Sequence, residues 1–126
     1  MPNISNITPV LTTADVKTAI DWYARAFGFS STFVNKEEGD SSGETWSYAL
    51  LTTGEVEIHL CKRDPNDQTL SSASNCYFHV DDIQVLHAHL SQMGADVGEL
   101  QEMPWGNLEC WLHDPDGNRM VLSAAM

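Results

Sequence analysis

Apolar and polar positions alternate along this chain in two different periods. From Asp15 to Phe27 the apolar residues Val16, Ala19, Ile20, Tyr23 and Phe27 recur at the spacing of one helical face. Thr13-Ala14-Asp15 supplies an N-cap signal before it, and Gly28 a C-cap signal after it. The β-prone run Ile4–Thr12 precedes this helix, with Pro9 marking a bend or an edge position because it lacks an N–H. Phe29–Asn35 reads as a strand, Lys36–Glu44 as a polar turn, and Thr45–Leu51 as a second strand. After Thr53-Gly54 the period of two is clear over Glu55–Cys61, where Val56, Ile58 and Leu60 alternate with Glu57 and His59.

Lys62–Ser74 has turn composition and reads as a linker. The same order of elements then returns. Asn75–Val80 is a strand, Asp81-Asp82 caps a helix carrying Ile83, Leu86, Leu90 and Met93, and Gly94 ends it. Ala95–Leu100 and Gly106–His113 are strands, Asp114-Pro115-Asp116-Gly117 is a tight turn, and Asn118–Ala124 is the last strand. Two β-α-β-β-β series make an internal repeat of roughly 60–70 residues. The expectation is a single α+β domain over 1–126, with modules at about 1–62 and 75–126 and a linker at about 63–74. Neither module is large enough to bury its sheet face alone, so the modules pair within the chain or between chains.

At 126 residues and 42% hydrophobic, the chain has the means for one ordinary core. No apolar run reaches the roughly 18–20 residues of a membrane span, and MPNISNITPV lacks a signal-peptide pattern, so a soluble, cytoplasmic protein is expected. Eighteen acidic against six basic residues give a net charge of -12. That charge repels nucleic acid and draws cationic ligands. Cys61, Cys76 and Cys110 follow no CxxC spacing, which fits small buried hydrophobes better than a disulfide framework or a zinc site.

The segments LTTADVKTAIDWYARAFGF and PWGNLECWLHDPDGNRMVLS, opening the first module and closing the second, resemble the glyoxalase/bleomycin resistance protein/dioxygenase (vicinal oxygen chelate) superfamily. Thr8-Pro9-Val10-Leu11 and Pro104-Trp105-Gly106 are most similar to its bleomycin-resistance-like branch. The resemblance implies curved sheets around a cleft with helices outside, and pairing of modules in a homodimer. It also gives the strand alternation a direction. With Val56, Ile58 and Leu60 under a helix, Glu57 and His59 face the cleft. Likewise Asn75 and Tyr77, then Glu109, Trp111 and His113, and Val121, face it while Phe78, Val80, Leu108, Cys110, Leu112, Met120 and Leu122 pack.

Metal-dependent relatives carry four ligands, and those positions fall here on Thr8, His59, Asn75 and Val121. One imidazole beside a hydroxyl, an amide and a valine does not make a divalent site, and the pattern DPDGNxxE of the last strand is here DPDGNRMVL. No metal, no cofactor and no catalytic residue is therefore expected. The candidate ligand-binding residues are His59, Tyr77, Glu109, Trp111, Trp105, Glu57, Phe33 and Trp46. Carboxylates beside aromatics suit a cationic or aromatic guest through ion pairing and cation–π attraction. Trp22, off the first helix's clearest apolar positions, is expected at a core edge or dimer contact, and His87 and His89 at the surface or its boundary. The reading is a small-molecule binding protein that sequesters its ligand, as in antibiotic resistance. The alternatives are a metal-dependent glyoxalase-, lyase- or dioxygenase-type enzyme and a ligand sensor.

Overall fold

The structure is a computed structural model that describes residues 2–37, 45–64 and 75–126. The expected turn at Lys36–Glu44 and the linker at Lys62–Ser74 thus lie mostly outside the described residues. Two compact units emerge, residues 1–68 and 69–126. The first holds β1 (Val10–Thr13), α1 (Val16–Phe27), β2 (Ser30–Lys36), β3 (Trp46–Thr53) and β4 (Val56–Lys62). The second holds β5 (Asn75–His79), α2 (Ile83–Gln92), β6 (Asp96–Val97), β7 (Gln101–Glu102), β8 (Asn107–His113) and β9 (Arg119–Ala125). This is the α+β fold of two β-α-β-rich modules that the sequence pattern and the resemblance imply.

In the first unit the sheet order is β1-β4-β3-β2, with β1 parallel to β4 and the other pairs antiparallel. Helix α1 forms because Asp15 accepts from Thr18 N–H at 3.3 Å and Gly28 takes the left-handed conformation (φ 77°), which stops the helix and returns the chain as β2. Its face of Val16, Ala19, Trp22, Tyr23 and Ala26 is buried against β3 and β4, where Ala49, Leu51, Ile58 and Leu60 are buried too. Each large apolar side chain among them contributes about 1.5–3 kcal/mol by leaving water. Because side chains alternate, burial of Ile58 and Leu60 on this face turns Glu57, His59 and Cys61 to the other.

The second unit repeats the plan with β5-β9-β8-β6, β5 parallel to β9, and β7 paired to β8. Ile83 and Leu90 of α2 are buried, as are Cys110, Leu112, Met120 and Leu122. The Asp114–Asn118 turn is held by its own side chains. Asp114 Oδ1 accepts from the N–H groups of Asp116 and Asn118, both at 2.9 Å, and Asp114 Oδ2 accepts from Asn118 Nδ2 at 2.8 Å. The DPDGN motif is therefore a structural staple that sets the β8–β9 register.

Several expectations need correcting. β1 is four residues long, not the whole of Ile4–Thr12: Ile4 and Ile7 are 83% and 80% exposed, and Pro9 ends the unpaired stretch. Val56 is 56% exposed rather than packed, because it sits at the open start of β4. The expected strand Ala95–Leu100 reduces to β6 at Asp96–Val97, and a second short strand, β7, follows only at Gln101–Glu102. Trp22 is 6% exposed and meets Tyr23 and Phe27 edge-on at 4.8 and 6.0 Å, so it is core rather than core edge. His87, by contrast, takes the expected boundary position: it is half-buried, its Nε2 2.9 Å from the Gly98 carbonyl, which pins α2 to the β6–β7 connection.

Candidate ligand-binding site

Each unit presents one sheet face away from its helix. On the first unit, sheet register sets His59 beside Val10 and Leu50, and Cys61 beside Thr12 and Tyr48. Tyr48 Oη lies 2.8 Å from His59 Nδ1, and His59 Nε2 lies 3.4 Å from Glu57 Oε2. Burial pushes the Tyr48 phenol up, and the nearby charges of Cys61 and Glu57 push the same way, so Tyr48 stays protonated. Tyr48 also lines a cavity of about 700 Å³ with Asn35, Glu37, Ser47, Cys61, Lys62, Arg63 and Asp64.

The structure thus brings Glu57 and His59 together and adds Tyr48, which sequence reading missed. Phe33, in β2, shares the row of Leu50 and His59 and is 55% exposed. Trp46 does not join them. It lies under the Lys17 ammonium of α1, 4.8 Å from the ring centroid, in a cation–π contact.

On the second unit, β5, β9 and β8 align Tyr77 with Val121 and Trp111, and His79 with Ser123 and Glu109. Glu109 is 2% exposed. Its Oε1 accepts from Tyr77 O–H at 3.2 Å, and its Oε2 accepts from Trp105 Nε1–H at 3.1 Å and Ser123 O–H at 2.8 Å. Asn107 Nδ2 donates to Ser123 Oγ at 2.9 Å and closes the network. Burial pushes the Glu109 carboxyl up. The hydrogen bonds from Ser123, Trp105, Tyr77 and Asn107 together outweigh it, and the group stays below the usual carboxylate range. No Lys, Arg or His among the described residues forms an ion pair with it.

The aromatic partners remain open: Trp105 is 60%, Tyr77 54% and Trp111 38% exposed. Trp111 lies on Gly98, where any Cβ would overlap the indole, so the break between β6 and β7 makes room for the ring. Tyr77, Glu109, Trp105 and Trp111 therefore share one face, but Glu109 sits under the aromatics rather than open to a ligand. A regular alternation marks which side of a strand a carboxylate occupies. It does not reveal donors arriving from β5, β9 and the loop before β8.

A divalent ion would need its ligands from the positions of Thr8, His59, Asn75 and Val121. Val121 offers no donor atom, and the Cα partner of Asn75 is the cationic Arg119. Tyr48 engages His59 Nδ1. Among the described residues His59 Nε2, 3.4 Å from Glu57 Oε2, has no hydrogen-bond partner, and no group of three or more His, Cys, Asp or Glu could hold a metal. The residues present do not fit a divalent centre.

No curated protein matches the chain by sequence. Solved structures do match its fold. A glyoxalase-related enzyme from Clostridium phytofermentans superposes with a TM-score of 0.78 at 19% identity, over 99% of this chain and 98% of that one. The bleomycin resistance determinant of transposon Tn5 gives 0.74 at 19% identity, over 97% and 98%. The bleomycin-binding protein of Streptomyces verticillus, complexed with copper(II)-bleomycin, gives 0.72 at 23% identity over 100% of both chains. At such identities the likeness carries the fold alone. The sequence pattern of the Glyoxalase/Bleomycin resistance protein/Dioxygenase superfamily matches residues 4–122, and the chain belongs to that superfamily.

Proposed function

We propose that the protein binds and sequesters a small, flat organic cation on the aromatic face of the second unit, without a metal and without covalent chemistry. The observation that carries this reading is Glu109. A carboxylate held ionised at 2% exposure with no cationic partner among the described residues leaves a negative potential beneath Tyr77, Trp105 and Trp111. The donors of Tyr77 and Trp105 point at that carboxylate, which enriches their rings in electron density and strengthens attraction for a cation. The carboxylate itself is saturated with donors, so it acts through the rings and not by direct contact. The net charge of -12 adds long-range attraction of the same sign.

Bleomycin-binding proteins stand among the similar structures. Sequestration needs only affinity, and a protein that sequesters a toxic compound confers resistance to it. A metal-dependent lyase or dioxygenase would need donors that Asn75 and Val121 do not supply. The protein acts as a homodimer, with the exposed Ile4, Ile7 and Val10 covered by the partner. The test is a fluorescence titration with 1-methylquinolinium, a flat cation. Trp111→Ala is expected to weaken binding about tenfold, equivalent to about 1.4 kcal/mol, while the surface control Glu55→Gln leaves it unchanged. Equal affinities for wild type and Trp111→Ala would remove the site from this face.

A further inference from the structure

Two of the open aromatic rings of the second unit each have an imidazole beside them. Trp111 and His113, two apart on β8, share one face, with ring centroids 5.2 Å apart and planes tilted by 56°. Tyr77 and His79 do the same on β5, with centroids 6.2 Å apart and an interplanar angle of 30°. Register sets His113 in the row of Asn75 and Arg119, and His79 in the row of Ser123 and Glu109. The row of Tyr77, Val121 and Trp111 lies between those two. It is thus flanked by an imidazole on either side, His79 exposed and His113 half-buried, and solvent can protonate both.

Imidazole is the side chain whose ordinary charge change falls between about pH 5 and 8. His113 Nδ1 lies 3.5 Å from Asp96 Oδ2 on β6 and makes no hydrogen bond, so the two form an ion pair only when the ring is protonated. Arg119 on β9 is the Cα partner of His113, and Glu99 follows in the connection from β6 to β7. Asp114 and Asp116 belong to the turn after β8, where Asp114 accepts the turn's own donors. Beside His79 the charged group is Glu109, which stays ionised because its hydrogen bonds outweigh its burial. Tyr77, its phenol pushed up by partial burial and by the hydrogen bond to Glu109, keeps its proton. The Cys76 and Cys110 thiols point to the helix side, pushed up by burial. Helix α2 covers that same side, so Asp81, Asp82, His87 and His89 belong to the layer across the sheet.

With both imidazoles neutral, the face keeps the negative potential of Glu109, and the Asp96 carboxylate adds to it. With both protonated, a positive charge stands against Trp111 and another against Tyr77, and His113 cancels Asp96. We propose that His79 and His113 form a proton gate on the aromatic face: the site takes up an organic cation when both rings are neutral and releases it when both are protonated. The gate rests on the reading of this face as a cation site. Repulsion between unit charges about 6 Å apart weakens binding about threefold even at the dielectric of bulk water, so the two rings together weaken it about tenfold.

The experiment is a calorimetric titration at about pH 8 and about pH 5, either side of the imidazole range. The probes are 1-methylquinolinium and neutral 1-methylnaphthalene, in low-salt buffer where screening is weak, with circular dichroism confirming the folded state at both pH values. The affinity for the cation is expected to fall about tenfold in acid, and that for the neutral compound to stay level. His79→Gln combined with His113→Gln is expected to remove most of the fall, whereas His89→Gln, on α2, retains it. Cation binding undiminished in acid, a fall of the same size in the double variant, or an equal fall for the neutral compound would each overturn the gate and leave the cation site standing. Absence of cation binding at the higher pH would refute the site itself, and the gate with it. Should the double variant not fold, the contrast between the two compounds on the wild-type protein decides.

Discussion

Replacing Glu109 with Gln tests whether a buried carboxylate organises the second unit. The substitution keeps the shape and removes the charge. The new amide would place its one carbonyl oxygen where Oε2 stands, because Trp105 N–H and Ser123 O–H both converge there and the indole cannot reverse its donor. Its NH₂ group would face Tyr77, whose hydroxyl can rotate and accept. Three charge-assisted bonds thus become neutral ones, each weaker by roughly 1 kcal/mol. Relief of the buried charge offsets part of this loss. A net destabilisation of about 1–3 kcal/mol follows, or roughly 3–12 °C in Tm for a chain of this size.

The pH dependence has a definite sign. The folded-state carboxyl is held below its ordinary value, with burial opposing and the hydrogen bonds prevailing. Its contribution is therefore fully present above the ordinary glutamate value and is lost as the pH falls through the depressed folded one. The gap between wild type and Glu109→Gln in urea denaturation should be full at neutral pH and close in acid. A variant as stable as wild type at neutral pH, or a gap constant down to strongly acidic pH, would refute the reasoning.

Three further outcomes are expected. Gly98→Ala, whose new Cβ would overlap Trp111, should change the near-ultraviolet circular dichroism and weaken 1-methylquinolinium binding, with far-ultraviolet signal retained. Leu60→Ala, at a fully buried position beneath α1, should cost about 2–5 kcal/mol by urea denaturation. Sedimentation should show twice the 14.0 kDa chain mass, and Ile4→Ser with Ile7→Ser should shift the protein toward the monomer.

Much of the fold was legible because apolar alternation and capping residues are local signals. Ile58 and Leu60 under α1, with Glu57 and His59 opposite, follow from a period of two and need no tertiary knowledge. Tyr48 was hidden because Leu50 and Leu51 are both apolar, which blurs the parity of β3, and its value rests on a partner on β4. Glu109 showed its strand face in the sequence but not its depth, since its donors come from Tyr77, Trp105 and Ser123, far apart along the chain. The sequence points Trp22 toward an edge because its neighbour Tyr23 fits the helical stripe better. The structure buries both, as α1 lies on the sheet with a broad face.

The central claim is that positive charge, and not flatness alone, is what the face over Glu109 selects. Calorimetric titration with 1-methylquinolinium and with 1-methylnaphthalene, its neutral counterpart of the same shape, separates the two. The account predicts that the cation binds at least about tenfold more tightly, and that raising the salt concentration narrows the margin. Equal affinities for the two compounds, or tighter binding of the neutral one, would contradict it.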